Sequence, residues 1–212
     1  MSLGVLGGTF NPIHCAHLRL AESAREDLGL ERVLFVPAAQ PALKPADVAP
    51  AADRLEMVRL ATAANAAFEV LDLEILRGGT SYTVDTLREL SARLPGERFW
   101  FVIGADALTE LDRWREPEAL FELASFAVAA RPGSVGDTAE LLPAALAARF
   151  SRGPDGLLHE SGNEIRTLEF PALEISATEV RRRVARGASI RYLVPDPVLE
   201  YIAKHHLYEE AH

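Results

Sequence analysis

The stretch Gly7-Gly8-Thr9-Phe10-Asn11-Pro12-Ile13-His14-Cys15-Ala16-His17-Leu18 follows a short apolar run, Leu3 to Leu6, near the start of the chain. Two glycines allow backbone angles and close approaches that a side chain forbids, and Pro12 stiffens the loop. A helix starting here aims its free amides and positive dipole end at whatever lies in front. That chemistry suits an anion. His14 and His17, three apart in a helical first turn, fall on one face and can both donate hydrogen bonds to one phosphate chain. A metal site is less attractive, because no third ligand of suitable type is near in sequence. Gly4, Gly7 and Gly8 lack the G-x-G-x-x-G spacing of a dinucleotide loop, which disfavours a dehydrogenase-type use of bound NAD.

Such a loop faces a ligand only if it lies at the carboxyl edge of a parallel sheet. Apolar and β-branched runs at Leu3 to Leu6, Arg32 to Val36, Phe68 to Leu73, Arg98 to Ile103 and Ser125 to Ala129 read as buried strands. They alternate with helical patterns at about Ala16 to Leu28, Asp53 to Ala66, Thr83 to Leu94, Ala105 to Asp112 and Pro117 to Leu123. The alternation predicts an α/β fold, a doubly wound parallel sheet with helices on both faces. Pro132 to Asn163, with glycines and prolines around an alanine-rich helical patch at Thr138 to Phe150, reads as an insertion or surface excursion. A last strand near Ile165 to Leu168 precedes two helical patterns, Ala177 to Ala185 and Asp196 to His205. We expect a single domain over 1–212, with a core to about 170 and a small C-terminal helical part from about 171.

The 212 residues are 49% hydrophobic and 25% charged, ordinary for a globular protein, and 22 basic against 31 acidic residues leave a net charge of -9. That field repels nucleic acid and anionic membranes, so a phosphate site must be local. With one cysteine, Cys15, no intramolecular disulfide forms, and the absence of a secretory signal reads as cytoplasmic. No apolar run approaches a spanning length. Self-association into a homo-oligomer is left open.

GGTFNPIHCAHL resembles the signature of the adenylyl and cytidylyl transferases, the nucleotidyltransferase superfamily. Thr9-Phe10 after two glycines and histidine at position 14 are similar to the bacterial nicotinate mononucleotide adenylyltransferases, and Ala16 departs from the usual glycine. Later segments match in order. Gly79-Thr80-Ser81-Tyr82-Thr83 resembles the S-Y-T helix start, where amides and the threonine meet the nicotinate carboxylate. Read without the family, Ser81 or Thr83 is a helix cap. Phe101-Val102-Ile103-Gly104-Ala105-Asp106 is similar to F-I-I-G-x-D, whose acid suits a ribose diol, although an acid also favours a helix start on its own. Trp114 corresponds to a tryptophan that stacks on the pyridine ring, and Arg131 in Arg131-Pro132-Gly133 to an arginine on the mononucleotide side. Ile175-Ser176-Ala177-Thr178-Glu179-Val180-Arg181 is close to I-S-S-T-x-I-R, offering hydroxyls, amides and a guanidinium to phosphates, with Arg182, Arg183 and Arg186 extending the charge. After the second strand Lys44 is kept, while Ala39 and Leu43 replace the family's asparagine and histidine.

The resemblance implies a Rossmann-like fold and transfer of the adenylyl group of ATP to nicotinate mononucleotide, giving nicotinate adenine dinucleotide and pyrophosphate in NAD synthesis. It assigns His14, His17, Lys44 and Arg181 to catalysis. Gly7, Gly8, Thr9, Phe10, Gly104, Asp106, Ile175, Ser176 and Thr178 fall to ATP, and Tyr82, Thr83, Trp114 and Arg131 to the mononucleotide. Mg2+ is carried on the ATP phosphates, with no carboxylate metal site in the sequence, and Cys15 has no covalent role. The competing readings are transfer to nicotinamide mononucleotide or phosphopantetheine, or a non-catalytic nucleotide-binding module. His159 is expected at the surface, and His205, His206 and His212 near a C-terminal helix end.

Overall fold

The computed structural model of the chain describes residues 1–41, 48–129, 138–168 and 173–209. β1 (Ser2–Gly8) leads through the opening loop into α1 (Cys15–Asp27), followed by β2 (Arg32–Pro37), the two-residue β3 (Gln40–Pro41), α2 (Ala51–Thr62) and β4 (Phe68–Val70). After α3 (Leu73–Arg77) and β5 (Thr80–Ser81) come α4 (Thr83–Arg93), β6 (Arg98–Gly104), α5 (Ala105–Leu108), a 3-10 turn at Leu111–Arg113, α6 (Pro117–Leu123) and β7 (Ser125–Ala129). The remainder is α7 (Thr138–Leu141), α8 (Ala144–Ala147), β8 (Phe150–Arg152), β9 (Leu157–His159), β10 (Glu164–Leu168), α9 (Ala177–Ala185) and α10 (Asp196–Lys204).

Among the described residues the main sheet has the strand order β4-β2-β1-β6-β7-β10-β9-β8. From β4 to β10 every pairing is parallel. The chain winds outward from β1 through β2 to β4, then returns to β6 and winds the other way. Its direction therefore reverses between β1 and β6, and the connections leaving those two strands diverge to open a crevice.

The strands alternate faces with period two. Leu3 and Val5 of β1, Leu34 and Val36 of β2, and Phe99, Phe101 and Ile103 of β6 join the core beneath α4 and α6. Val33 and Phe35 of β2, with Trp100 and Val102 of β6, join the core of the opposite face. Val180 of α9 and Val198 and Ile202 of α10 are buried in that second core, so the C-terminal helices pack on the sheet itself. Tyr201 of α10 also donates its hydroxyl to Asp53 Oδ1 of α2 at 2.8 Å. No helix of the described residues is long and apolar enough to cross a membrane.

Five expectations need correction. The run Phe68 to Leu73 splits, because Leu73 begins α3, which ends at Gly78 with φ 70°. The helix expected over Ala105 to Asp112 breaks after one turn, where Thr109 Oγ1 donates to the Asp106 carbonyl at 2.8 Å. Thr138 to Phe150 is not one helix: Pro143 starts α8 afresh, and Phe150 opens a strand.

The largest correction concerns the segment read as an excursion. β9 pairs antiparallel with β10, and β8 with β9, extending the sheet. Leu142, Leu146 and Leu157 bury themselves in the first core. His159 is 3% exposed, not superficial. Its ring packs 4.9 Å from Phe150 and 5.7 Å from Phe121, and its Nδ1 accepts from Ser161 N–H at 3.2 Å. Burial holds its pKa below the ordinary histidine value.

Candidate active site

The opening loop sits at the carboxyl end of β1, beside the reversal point. Thr9, Phe10, Asn11 and His14 are buried. Phe10 takes φ 47°, the left-handed region, which places its ring against His17 at 5.2 Å and Phe35 at 6.1 Å. Gly8 suits that ring: a Cβ there would meet Phe10 at 3.2 Å, tighter than ordinary contact. The need is close approach, since Gly8 does not have a positive φ.

Two backbone carbonyls of this loop and the Asn11 side chain are tied down from elsewhere in the chain. Arg54 of α2 donates to the Thr9 carbonyl at 2.7 Å, and Arg181 of α9 to the Asn11 carbonyl at 2.8 Å. Asn11 Oδ1 accepts from Ala49 N–H at 3.0 Å and from the Tyr208 hydroxyl at 2.8 Å. Burial raises the Tyr208 phenol above its ordinary pKa, so it remains a donor.

His14 stands at the N-cap of α1, and its ring stacks on that of His17 with centroids 3.7 Å apart and 24° between planes. Burial pushes the His14 pKa down from 6.5 to about 4, so the ring is neutral at pH 7, and among the described residues its buried Nδ1 has no hydrogen-bond partner. The His14 N–H donates to His17 Nδ1 at 3.2 Å. That bond requires the lone pair on Nδ1, so neutral His17 carries its proton on Nε2 and is a donor there.

A cleft of about 620 Å³ opens over the reversal point. One wall is Gly7, Gly8, Thr9 and His17; the other is Tyr82, Thr83, Arg113, Trp114 and Arg115. Gly104, at the end of β6, lies between them, and a Cβ there would meet no protein atom within 4 Å. Trp114 is half-buried, edge-on to Phe101 at 6.2 Å, and the Arg115 guanidinium lies 4.8 Å from the centre of the Tyr82 ring.

The helix start on the second wall differs from expectation. Tyr82 is the N-cap of α4 and no side chain caps it. The Ser81 hydroxyl is turned away from that task, accepting from Ala39 N–H at 3.0 Å. Among the described residues the first amides of α4 thus receive no side-chain cap, and Tyr82 and Thr83 at that helix start line the cleft. Glu74, at the base of this wall, accepts from the hydroxyls of Thr86 and Ser81, and burial raises its pKa above the ordinary value.

Thr178 and Arg181 line a second groove of about 540 Å³, with Ala49 and Tyr208. It adjoins the opening loop through the Arg181–Asn11 bond. Ser176 Oγ accepts from Glu179 N–H at 3.1 Å, a helix cap that leaves its own proton to donate. Ile175 packs half-buried against the second core. Arg182 and Arg183 do not extend the positive charge freely, because both pair with Glu179.

The cleft therefore gathers Gly7, Gly8, Thr9, His17, Tyr82, Thr83, Gly104 and Trp114. His14 and Phe10 lie behind its surface, Asp106 is exposed on the first turn of α5 next to Gly104, and Arg181 with Thr178 sits in the adjoining groove. Lys44, Leu43 and Arg131 lie outside the described residues. Sequence reasoning missed Arg54, Glu74, Arg113 and Arg115. A signal for Arg54 existed: it precedes Met57 and Val58 by three and four positions, which puts a charged residue on the buried stripe of α2. Among the described residues no group of three or more His, Cys, Asp or Glu is placed to hold a metal ion.

Fold and cleft together define a nucleotide-handling α/β protein with the Rossmann-like architecture of nucleotidyltransferases. A family model described as cytidylyltransferase-like matches residues 5–183. The "Probable nicotinate-nucleotide adenylyltransferase" of Citrifermentans bemidjiense is 50% identical over 215 residues, spanning 100% of both chains. The protein of the same name from Geobacter metallireducens is 46% identical over 98% of each. The solved structure of Plasmodium falciparum nicotinic acid mononucleotide adenylyltransferase complexed with NaAD is 19% identical, with a TM-score of 0.75 over 98% of this chain and 97% of that one, and so shares the fold. This chain belongs to the cytidylyltransferase-like family, in its nicotinate-nucleotide adenylyltransferase branch.

Proposed function

We propose that the protein transfers the adenylyl group of ATP to nicotinate mononucleotide, releasing pyrophosphate and forming nicotinate adenine dinucleotide. The observation that carries this reading is the two-walled cleft: a glycine loop with His17 on one side, and an uncapped helix start with Trp114 on the other. Phosphates suit the first wall, and a flat ring bearing a carboxylate suits the second. Arg113 and Arg115 line that wall paired with Glu110 and Asp85, and Glu74 accepts from the hydroxyls of Thr86 and Ser81.

The mononucleotide phosphate attacks the α-phosphorus of ATP, the bond to the bridging oxygen breaks, and pyrophosphate leaves with the electron pair. The attacking phosphate is already anionic at neutral pH, so no side chain takes a proton. Catalysis is positioning and charge stabilisation. His17 donates from Nε2 to the phosphates, and neutral His14 supports it by stacking and by fixing its tautomer. Gly104 and Asp106 receive the ATP ribose, Arg181, Ser176 and Thr178 the pyrophosphate end. Lys44 draws the reacting phosphates together, and Tyr82, Thr83, Trp114 and Arg131 hold the mononucleotide. Magnesium enters as part of the nucleotide substrate, on phosphate oxygens and water. The protein works in the cytoplasm on these small molecules, with neither nucleic acid nor membrane as partner, and as one domain over 1–212.

The test is pyrophosphate release from ATP and magnesium with nicotinate mononucleotide, nicotinamide mononucleotide and phosphopantetheine offered separately. Release with the nicotinate substrate alone is expected. Preference for either other acceptor would reassign the substrate, and no release with any would leave a nucleotide-binding module.

A further inference from the structure

Arg54 is 1% exposed, the largest fully buried side chain among the described residues. A buried guanidinium normally needs an anion beside it. Here each of its nitrogens donates to a different main-chain carbonyl. Nε donates to Ala49 at 2.9 Å, Nη1 to Thr9 at 2.7 Å and Nη2 to Ala39 at 2.9 Å. These carbonyls belong to three separate segments: the start of α2, the glycine loop, and the chain leaving β2.

The connection continues beyond Ala39. Its N–H donates to Ser81 Oγ at 3.0 Å, Ser81 bonds Glu74, and Glu74 accepts from Thr86. Thr9 lines one wall of the cleft; Ser81, Glu74 and Thr86 line the other. An unbroken polar path thus crosses beneath the cleft from the phosphate loop to the start of α4. It uses only the main chain of Ala39, so alanine in place of the family's asparagine leaves it intact.

We propose that Arg54 is a positioning residue that sets the distance between the two walls, holding the glycine loop and the acceptor-side segment in register through its three-carbonyl fork and the Ser81–Glu74 link. The inference rests on the two-substrate reading above and deepens it. Only arginine offers a planar fork able to reach three divergent carbonyls; a lysine keeps the charge and loses that geometry. Misplacing reacting groups by about 1 Å can lower turnover on the order of 100-fold.

The experiment compares wild type, Arg54→Lys, Ser81→Ala and the double variant. In Arg54→Lys we expect kcat to fall on the order of 100-fold, with KM for ATP and for the mononucleotide within about threefold. Ser81→Ala is expected to lose about tenfold, and the double variant no more than Arg54→Lys alone, because both changes break one path. Hydrogen exchange should quicken in residues 7–14 and 38–41 of Arg54→Lys while the rest of the chain is unchanged. Wild-type kcat in Arg54→Lys, or multiplied losses in the double variant, would overturn the proposal. If Arg54→Lys does not fold, Ser81→Ala decides by the same kcat-against-KM split. If wild type releases no pyrophosphate with any acceptor, the functional reading alone fails. Hydrogen exchange then decides the clasp, and unchanged exchange in both segments would overturn it.

Discussion

On the donor side of the cleft Thr9, Phe10, Asn11 and His14 are buried, and their loop is held by Arg54, Ala49, Arg181 and Tyr208. On the acceptor side Tyr82 and Trp114 are half-buried, and Arg113 and Arg115 are exposed and pair with surface acids. On the proposed reading the difference follows from what each wall handles. Charge develops at the phosphates, where fixed donors in a dry setting are worth most and need no reorganisation during the reaction. A planar ring asks only for a surface to stack on and a few amides. Damage to the donor wall should therefore appear in kcat, and damage to the acceptor wall in KM.

The sharpest way to break that contrast is His17→Ala. On the proposed reading its Nε2 serves the phosphates; within the fold its ring touches His14 and Phe10 and its Nδ1 accepts from His14 N–H. Turnover should fall on the order of 100 to 1,000-fold, with the melting temperature within a few degrees of wild type. A variant with near-normal kcat would remove His17 from the machinery and level the two walls.

His14 gives the donor wall a pH signature. Its pKa is about 4 in the folded protein against an ordinary 6.5, so between those values the unfolded chain takes up the proton more readily. Stability linked to His14 is complete above pH 6.5 and lost as pH falls toward 4, by about 3 kcal/mol at 1.4 kcal/mol per unit. Urea unfolding of wild type and His14→Gln from pH 7 to pH 4 measures the term. Parallel curves for the two proteins would mean that His14 is not desolvated, and that the donor wall is no more closed than its opposite.

For the acceptor wall, Trp114→Ala should raise KM for the mononucleotide about 10-fold and leave kcat within about threefold, since stacking on an indole is worth about 1–3 kcal/mol per ring. A loss confined to kcat would show that Trp114 aligns the reacting phosphate rather than merely binding the base. The two walls would then share one task.

How far these regions could be read from sequence differs for a physical reason. The parallel core was legible because β1, β2, β6 and β7 are apolar runs separated by helices of ordinary length, and the ligand edge follows from that winding. The loop residues were legible because glycine, proline and spaced histidines occur together for few other purposes. The hairpin of β8 and β9 was not, since its strands have three residues each and follow an alanine-rich, proline-broken stretch that scores as helix. Glu74 and Arg54 were hidden by type. Charged residues on helices usually face water, and their burial depends on partners 12 and 45 positions away. The Ser81 cap expectation failed similarly, because Ala39, 42 residues distant, competes for the hydroxyl.

The smallest expected effect tests how locally the donor wall is built. Tyr208 lies 197 positions from Asn11, yet its hydroxyl donates to Asn11 Oδ1. In Tyr208→Phe that oxygen still accepts from Ala49 N–H, so no buried acceptor is orphaned. The change should then lower stability by about 1 kcal/mol, the net value of one neutral hydrogen bond, and alter kcat by less than threefold. Thermal unfolding and steady-state rates on the same preparation check both numbers. A tenfold fall in kcat with unchanged melting would carry a different lesson: the loop's geometry would be set by the chain's last turn as much as by α2. The rigidity that distinguishes the donor wall would then be a property of the C-terminal packing, which only the complete fold supplies.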